Sequence, residues 1–543
     1  MTKTYACGII YSLKRQGIMK ETFYITTPIY YPSNKLHLGN SYTTIVCDAL
    51  ARFNRKLGKD VLYLTGTDEH GQKISMAAEK AGKTEKEYLD EMVADTKSLW
   101  QLLNISYDKF IRTTDPYHEK AVQKIFTELY NKGYIYKGSY KGWYCTPCES
   151  FWTESQLVDG KCPDCGREVK FQEEEAYFFK LSEFSDKLLK LYEEHPEFLL
   201  PKSRVNEMVN NFIKPGLTDL CVSRTSVKWG VPVEFDPKHT IYVWIDALPN
   251  YITALGYGSE DDSLFKKFWP ADVHVIGKEI VRFHAIIWPA ILMALGLELP
   301  HRVFGHGWLM FGGDKLSKSK ENSKVECIDP RVLVPLYSAD AIRYFLYREI
   351  PFGSDGNYST EAFLNRFNSD LSNNYGNLVS RTFSMVKKYF NSVIPEGSAL
   401  TDPDDIALKE VVDREVKNTL TYMDELDVTK AVTAVFNIFT EANTYIQKVQ
   451  PWAVAKQEDG QARLKTILRN LLEVIRIGSE LFEPFTPTKS RQVLDALGIT
   501  DKVFKNLDNF AGLTAGQELK PLDILFPRLD VNAELEKLGQ ITK

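Results

Sequence analysis

Basic excess, long apolar runs, dense cysteine and repeated segments are all missing from this 543-residue chain. It carries 67 Lys plus Arg against 72 Asp plus Glu, a formal net charge of −5, which excludes binding to a polyanion by bulk charge and leaves only local patches for that purpose. No uninterrupted apolar stretch approaches the roughly 20 residues a bilayer crossing needs, so a membrane-spanning reading fails. Eight cysteines are too few for a disulfide scaffold and fit thiols kept reduced in a cytosol, giving a cytoplasmic expectation. Low-complexity tracts are absent too, and with 44% hydrophobic and 26% charged residues the chain is not a disordered one. At this length one core does not suffice, and two to four folded domains are expected.

Four cysteines form two CxxC pairs, Cys145/Cys148 and Cys162/Cys165, separated by 13 residues. Four soft ligands on two tight turns suit tetrahedral Zn²⁺, and with no position left open the metal is structural rather than catalytic. Cys7, Cys47, Cys221 and Cys327 are scattered, and Cys47 lies in an apolar helical pattern as a small hydrophobe. Residues 1–19 are basic but lack a cleavage signal, and are expected to be a disordered leader.

The pattern predicts strands over residues 23–31, 60–65 and 107–112, alternating with helices over 41–57, 72–80 and 85–103. Such alternation implies a doubly wound parallel sheet, an α/β fold covered on both faces. Residues 117–239 break the rhythm and read as an insertion, after which it resumes with strands at 241–245 and 273–276 and a helix over 280–295. Beyond residue 363 helical spacing dominates, with segments at 371–390, 406–426, 428–449, 461–481 and 489–497. The expected domains are a Rossmann-like unit split into 20–116 and 240–306, the zinc-bearing insertion 117–239, a linker 307–366, and an all-α unit 367–543.

Two short motifs carry further chemistry. HLGN at 37–40 sits at a strand-to-helix junction, where backbone N–H groups and the helix dipole favour an anion and Gly39 admits a flat ring. KLSKS at 315–319 places Lys315 and Lys318 in a Gly-rich loop, suited to closing over a polyphosphate. Either is weak alone. In this order on a split parallel sheet they resemble the paired nucleotide-binding motifs of class I aminoacyl-tRNA synthetases.

Further segments narrow the resemblance. TTPIYY at 26–31, TGTDEHG at 65–71, YVWIDA at 242–247, IGKEIVRFH at 276–284, NLVSR at 377–381 and Pro451-Trp452 are similar to those of the methionyl-tRNA synthetases, a match running over residues 23–528. It implies ATP-dependent activation of L-methionine to an adenylate, with Mg²⁺ accompanying ATP, then transfer to the 3′ end of initiator and elongator methionine tRNAs. By motif match it implies a methionine site of Ile29, Tyr31, Asp68, Trp244, Ala247 and Leu248, continued by Tyr251, Phe283, His284 and Trp288. Asp68 takes the substrate's α-amino group, with Arg224 associated with it. His37, Gly39, Asn40, Gly277, Lys315, Ser317 and Lys318 face ATP, and His37, Asn40, Lys315 and Lys318 stabilise phosphate charge. Asn377, Arg381 and Trp452 are the implied anticodon contacts, suited to stacking on and hydrogen bonding to unpaired bases.

Two positions depart from the common motifs, Asn40 for a second His and Leu316 for Met. The latter conserves volume; the former leaves the charge of the phosphate site open. Sister enzymes for isoleucine, valine or leucine generally carry a larger editing insertion, and cysteine enzymes need an open metal. A zinc-ribbon RNA-binding scaffold is the alternative of another class, opposed by the lysine loop. A monomer is expected.

Overall fold

The computed structural model describes residues 21–146, 150–311, 314–315, 329–397 and 400–541. The expected leader, Cys7, Cys148, Ser317, Lys318 and Cys327 lie outside the described residues.

Six parallel strands form the central sheet: β1 (Thr22–Thr26), β2 (Asp60–Thr67), β3 (Lys109–Arg112), β4 (Leu199–Leu200), β5 (Val273–Gly277) and β6 (Val303–His306), in spatial order β3-β2-β1-β5-β6-β4. Alternation along the strands assigns the two faces. Phe23, Ile25, Val61 and Tyr63 point into one core, whereas Tyr24, Leu62 and Leu64 point into another, so both faces are covered as a parallel sheet requires. The first core is continuous with the C-terminal helices, the second with the helices that follow β3 and β5.

Three expectations are corrected. Residues 241–245 are not a sheet strand. Only Thr240–Ile241 is extended, paired antiparallel with Ser223–Arg224, and Val243 then turns at φ +47° so that its carbonyl accepts the N–H of Ala247 and starts the helical turn Trp244–Ala247. The β-branched and aromatic composition marks burial there, not extension. The helix expected over 280–295 is three pieces: a 3₁₀ turn Lys278–Ile280, a π turn Phe283–Ile287 and an α-helix Trp288–Leu295. Pro289 has no N–H for the carbonyl of Ala285, which instead accepts the Tyr192 hydroxyl at 2.5 Å. Leu199–Leu200, within the stretch read as inserted, returns to the central sheet as its edge strand beside Val303 and Phe304. What projects from the fold is the antiparallel hairpin Ile135–Cys145 with Lys170–Phe179, bearing the cysteines at its far end.

The C-terminal part is helical, built from Asn377–Phe390, Pro403–Asp424, Val428–Val449, Gln461–Phe482, Pro487–Ala496 and Val531–Ile541. Among the described residues no helix is long and apolar enough to cross a membrane.

Candidate active site and metal knuckle

A cavity of about 240 Å³ opens at the carboxyl ends of β1 and β2, the edge at which doubly wound sheets take ligands. Ile29, Tyr31 and Asp68 line one side, and Trp244, Ala247, Leu248, Tyr251 and His284 the other. Eight of the ten residues implied for methionine thus share one wall surface. Phe283 and Trp288 stand behind it. Phe283 stacks on Trp244 with ring centres 3.7 Å apart, and the fully buried Trp288 donates from Nε1 to His274 Nε2 at 3.3 Å.

Tyr251, His274, His284 and Trp288 are joined in one neutral arrangement. His284 donates from Nδ1 to the Ile280 carbonyl at 2.9 Å and accepts the Tyr251 hydroxyl at Nε2 at 2.7 Å. Burial pushes its pKa down to about 4, so the imidazole stays uncharged where a thioether would lie. His274, held well below the ordinary value by burial, donates from Nδ1 to Thr26 Oγ1 at 2.7 Å and stacks against Tyr251. A polarizable apolar group suits such a surface.

Pro28, Lys73, Val243, Asn250 and Ile280 also line the cavity and escaped sequence reasoning. The signal was close by, since Val243 and Ile280 lie inside the quoted motifs and Lys73 follows TGTDEHG by two residues. Lys73 Nζ sits 5.3 Å from the Tyr31 ring, placing a cation at the mouth.

His37 is the N-cap of helix α1 (Leu38–Lys56), its Nδ1 accepting the Gly39 N–H at 3.1 Å, while Asn40 Oδ1 accepts the His37 N–H at 3.3 Å. The pair forms a reciprocal capping box. Acceptance at Nδ1 sets the neutral tautomer with its proton on Nε2, a donor beside the positive end of α1. Asn40 therefore serves the backbone of the motif, which accounts for an amide where a second imidazole is common. A Cβ on Gly39 would lie 3.0 Å from the His37 ring, and one on Gly277 would lie 2.5 Å from Glu279 Oε2.

Strand Leu309–Phe311 leads into the lysine loop, with the backbone of Asp314–Lys315 paired against it. Phe311 approaches within 3.9 Å of a Gly39 Cβ position, so this strand runs beside HLGN.

At the hairpin end, the sulfurs of Cys145, Cys162 and Cys165 lie within 4.8 Å of one another, Cys145 and Cys165 at 3.5 Å. Four ligands at a Zn–S distance of about 2.3 Å stand roughly 3.8 Å apart, so three converging thiols fit such an ion. Cys47 is buried with its thiol pushed well up, as expected of a small hydrophobe, and burial takes Cys221 up to about 12.

The family model for class I tRNA synthetases (M) matches residues 23–172 and 165–383, and that for the anticodon binding domain of methionyl tRNA ligase matches residues 394–538. The methionine–tRNA ligase of Caldanaerobacter subterraneus subsp. tengcongensis is 57% identical over 527 residues, covering 97% of this chain and 82% of the relative. That of Clostridium tetani is 56% identical over 524 residues, covering 96% and 81%. The crystal structure of Mycobacterium tuberculosis methionyl-tRNA synthetase bound by methionyl-adenylate superposes with a TM-score of 0.88 at 41% identity, covering 93% of this chain and all of that one. The chain belongs to the methionyl-tRNA synthetases. It is an aminoacyl-tRNA ligase of class I, a class that uses ATP.

Within this family frame the remaining implied residues fall in two places. Arg224 is buried, ion-paired with Glu174, its guanidinium 4.4 Å over Tyr144 and 5.4 Å over Tyr242. Tyr242 and Asp68 line one small cavity, so Arg224 reaches the active centre through Tyr242. In the helical part, Asn377 and Arg381 stand one turn apart on Asn377–Phe390, and the Arg381 guanidinium lies 5.7 Å over the Trp452 ring. Trp452 is 37% exposed, unusual for a large aromatic that is merely core.

Proposed function

We propose that this chain activates L-methionine with ATP, releasing pyrophosphate, and transfers the methionyl group to the 3′ end of initiator and elongator methionine tRNAs. The observation that carries the reading is the neutral aromatic cavity with Asp68 on its rim, next to the capped amino end of α1. Asp68 pairs with the substrate's α-ammonium group, and the Trp244, Tyr251 and His284 surface takes the thioether. An apolar pocket discriminates among side chains that differ by a methylene through only about 1–3 kcal/mol, so shape and the polarizable contact act together.

The substrate carboxylate attacks the α-phosphorus, the bond to the β-phosphate oxygen breaks, and pyrophosphate leaves. No protein nucleophile is needed. His37 Nε2–H, the amino end of α1, Lys315 and Lys318 neutralise charge developing on the phosphates, with Ser317, Gly39, Asn40 and Gly277 shaping the bed for ATP. Mg²⁺ accompanying ATP would supply further neutralisation of the phosphates. A ribose hydroxyl of the tRNA end then displaces AMP. Methionine-dependent pyrophosphate exchange tests the reading, which fails if isoleucine, leucine, valine or cysteine supports faster exchange.

We take the split nucleotide fold to be 20–116 and 240–306, the knuckle to lie within 117–239, the lysine-loop linker to be 307–366 and the anticodon bundle 367–543, with Leu199–Leu200 of the insertion lent to the central sheet. Cys145, Cys148, Cys162 and Cys165 hold one structural Zn²⁺, whose binding ties the hairpin end together. Metal analysis of purified protein is expected to give one zinc per chain, falling well below that in Cys162→Ser; an unchanged ratio in the variant removes the assignment.

Asn377, Arg381 and Trp452 read the anticodon, a stacked cation and ring offering one plane for an unpaired base and two side chains for its edge. Loss of a base-stacking aromatic costs about 1–3 kcal/mol, so Trp452→Ala raises KM for tRNA about 5- to 150-fold while pyrophosphate exchange stays at the parent rate. Equal aminoacylation by the variant and the parent would falsify the anticodon role. Cytoplasmic location completes the reading, supported by the thiol usage.

A further inference from the structure

Behind the cavity lies a buried charged chain with no part in the chemistry described above. Asp246, 1% exposed, accepts from His70 Nδ1 at 2.7 Å on one oxygen and from His118 Nε2 at 3.2 Å on the other. His118, fully buried, is fixed in turn by Thr253 Oγ1 at 2.7 Å. Glu119 comes within 3.6 Å of His70 Nε2, and the Trp229 ring stands edge-on to the His70 imidazole at 6.0 Å. Ionised groups this deep need a reason, since desolvation opposes each of them.

Their positions supply it. His70 is two residues beyond Asp68, on the loop leaving β2, and Asp246 is flanked in the turn Trp244–Ala247 by the two residues that face the cavity. The His70–Asp246 bond therefore ties the wall that carries the carboxylate to the wall that carries the aromatic surface, across 176 residues of sequence. The same loop is pinned by Tyr31, whose hydroxyl donates to the His70 carbonyl at 3.0 Å, and by Trp229, whose Nε1 donates to the Glu69 carbonyl at 2.7 Å. The loop is held besides by the Asp68 N–H on the Tyr30 carbonyl at 2.9 Å and by Glu69 on Arg112, and the His70 side chain is what links it to the Trp244–Ala247 turn.

We propose that His70 is a positioning residue for recognition of the amino-acid substrate: clamped with His118 on the two oxygens of Asp246, it fixes the distance between the Asp68 carboxylate and the Trp244–Ala247 wall. This rests on the assignment of the cavity to methionine. The electrostatics agree with the geometry. Burial works against charge on His70, yet Asp246, Glu119 and Asp68 raise it to about 10, and Asp246 is held down at about 2 despite its own burial. An imidazolium two residues from Asp68 also favours the ionised carboxylate that an ammonium group requires.

The test compares His70→Gln, the conservative His70→Asn and Asp68→Asn in methionine-dependent pyrophosphate exchange on the full chain. Loss of a buried charge-assisted bond that sets geometry is expected to raise KM for methionine at least about tenfold in His70→Gln, with KM for ATP and kcat within about twofold of the parent and partial recovery in His70→Asn, whose amide can stand in for Nδ1. Histidine-selective ¹⁵N spectra should show His70 with both ring nitrogens protonated at pH 8, a signature lost in Asp246→Asn. A parallel fall of kcat, KM for ATP and melting temperature would overturn the positioning role in favour of a structural one. So would an unchanged methionine KM in His70→Gln beside a raised one in Asp68→Asn. If Asp68→Asn also leaves methionine KM untouched, the cavity assignment itself fails.

Discussion

His37→Asn is expected to slow methionine-dependent adenylate formation by about 10²- to 10³-fold, the usual effect of removing one preorganised donor from developing charge, with thermal unfolding unchanged. The separation is possible because His37 has two duties at different atoms. Nδ1 caps α1 by accepting the Gly39 N–H, and Asn is among the best residues for that duty. Under the proposed role only the imidazole, which extends past the cap, would carry an Nε2–H to a phosphate. His37→Ala loses the cap as well and should cost about 1 kcal/mol of stability in addition. Single-turnover adenylate formation alongside calorimetry reads both quantities. A parental rate in His37→Asn would confine the residue to capping, and Asn40, which accepts the His37 N–H, would then be part of a purely structural box.

The contrast between HLGN and the aromatic wall shows which features a linear reading captures. Strand alternation at Phe23, Tyr24 and Ile25 and the long amphipathic helices Val428–Val449 and Gln461–Phe482 are local, so periodicity and end signals find them. The cysteine knuckle is legible because ligand spacing is a local property too. What escaped depends on partners far along the chain. Val243 takes a left-handed turn whose carbonyl starts the next helical turn, although its neighbours read as a strand. Pro289 leaves the Ala285 carbonyl to a tyrosine 93 residues earlier, which opens a π turn where periodicity predicts plain helix. Leu199–Leu200 is too short to register as a strand, yet it closes one edge of the sheet. Of the proposed site, eight methionine residues share one cavity because the resemblance supplied them together. Asn40, by contrast, owes its explanation to a backbone bond that no motif records.

Arg343→Met is expected to destabilise the protein by about 3–5 kcal/mol, the cost of leaving one half of a buried ion pair behind. Asp48, inside α1, and Arg343, inside the helix Ala339–Glu349, are both fully buried and meet at 2.7 Å. Arg343 also donates to the carbonyls of Phe485 at 3.0 Å and Pro484 at 3.1 Å, so one guanidinium joins the catalytic helix to the C-terminal bundle. Burial alone would raise the Asp48 carboxyl; Arg52, Arg343 and the Ser106 hydroxyl and N–H hold it down to about 2 instead. A depressed acid stabilises the fold above its unfolded value near 3.8, and that contribution, roughly 2 kcal/mol, is lost as pH falls from there towards 2. In Arg343→Met the carboxyl has lost one of its cations and its folded value rises, so less stability is lost below about pH 3.8 and the deficit of the variant against the parent narrows as pH falls. Asp48→Asn in the same background removes the stranded charge and should recover part of the loss, which a double-mutant cycle isolates. Urea unfolding at pH 7, 5, 4 and 3 measures both effects. A single variant within 1 kcal/mol of the parent at pH 7, or with an unaltered acid limb, would show that the joint between helix and bundle is carried by apolar packing alone.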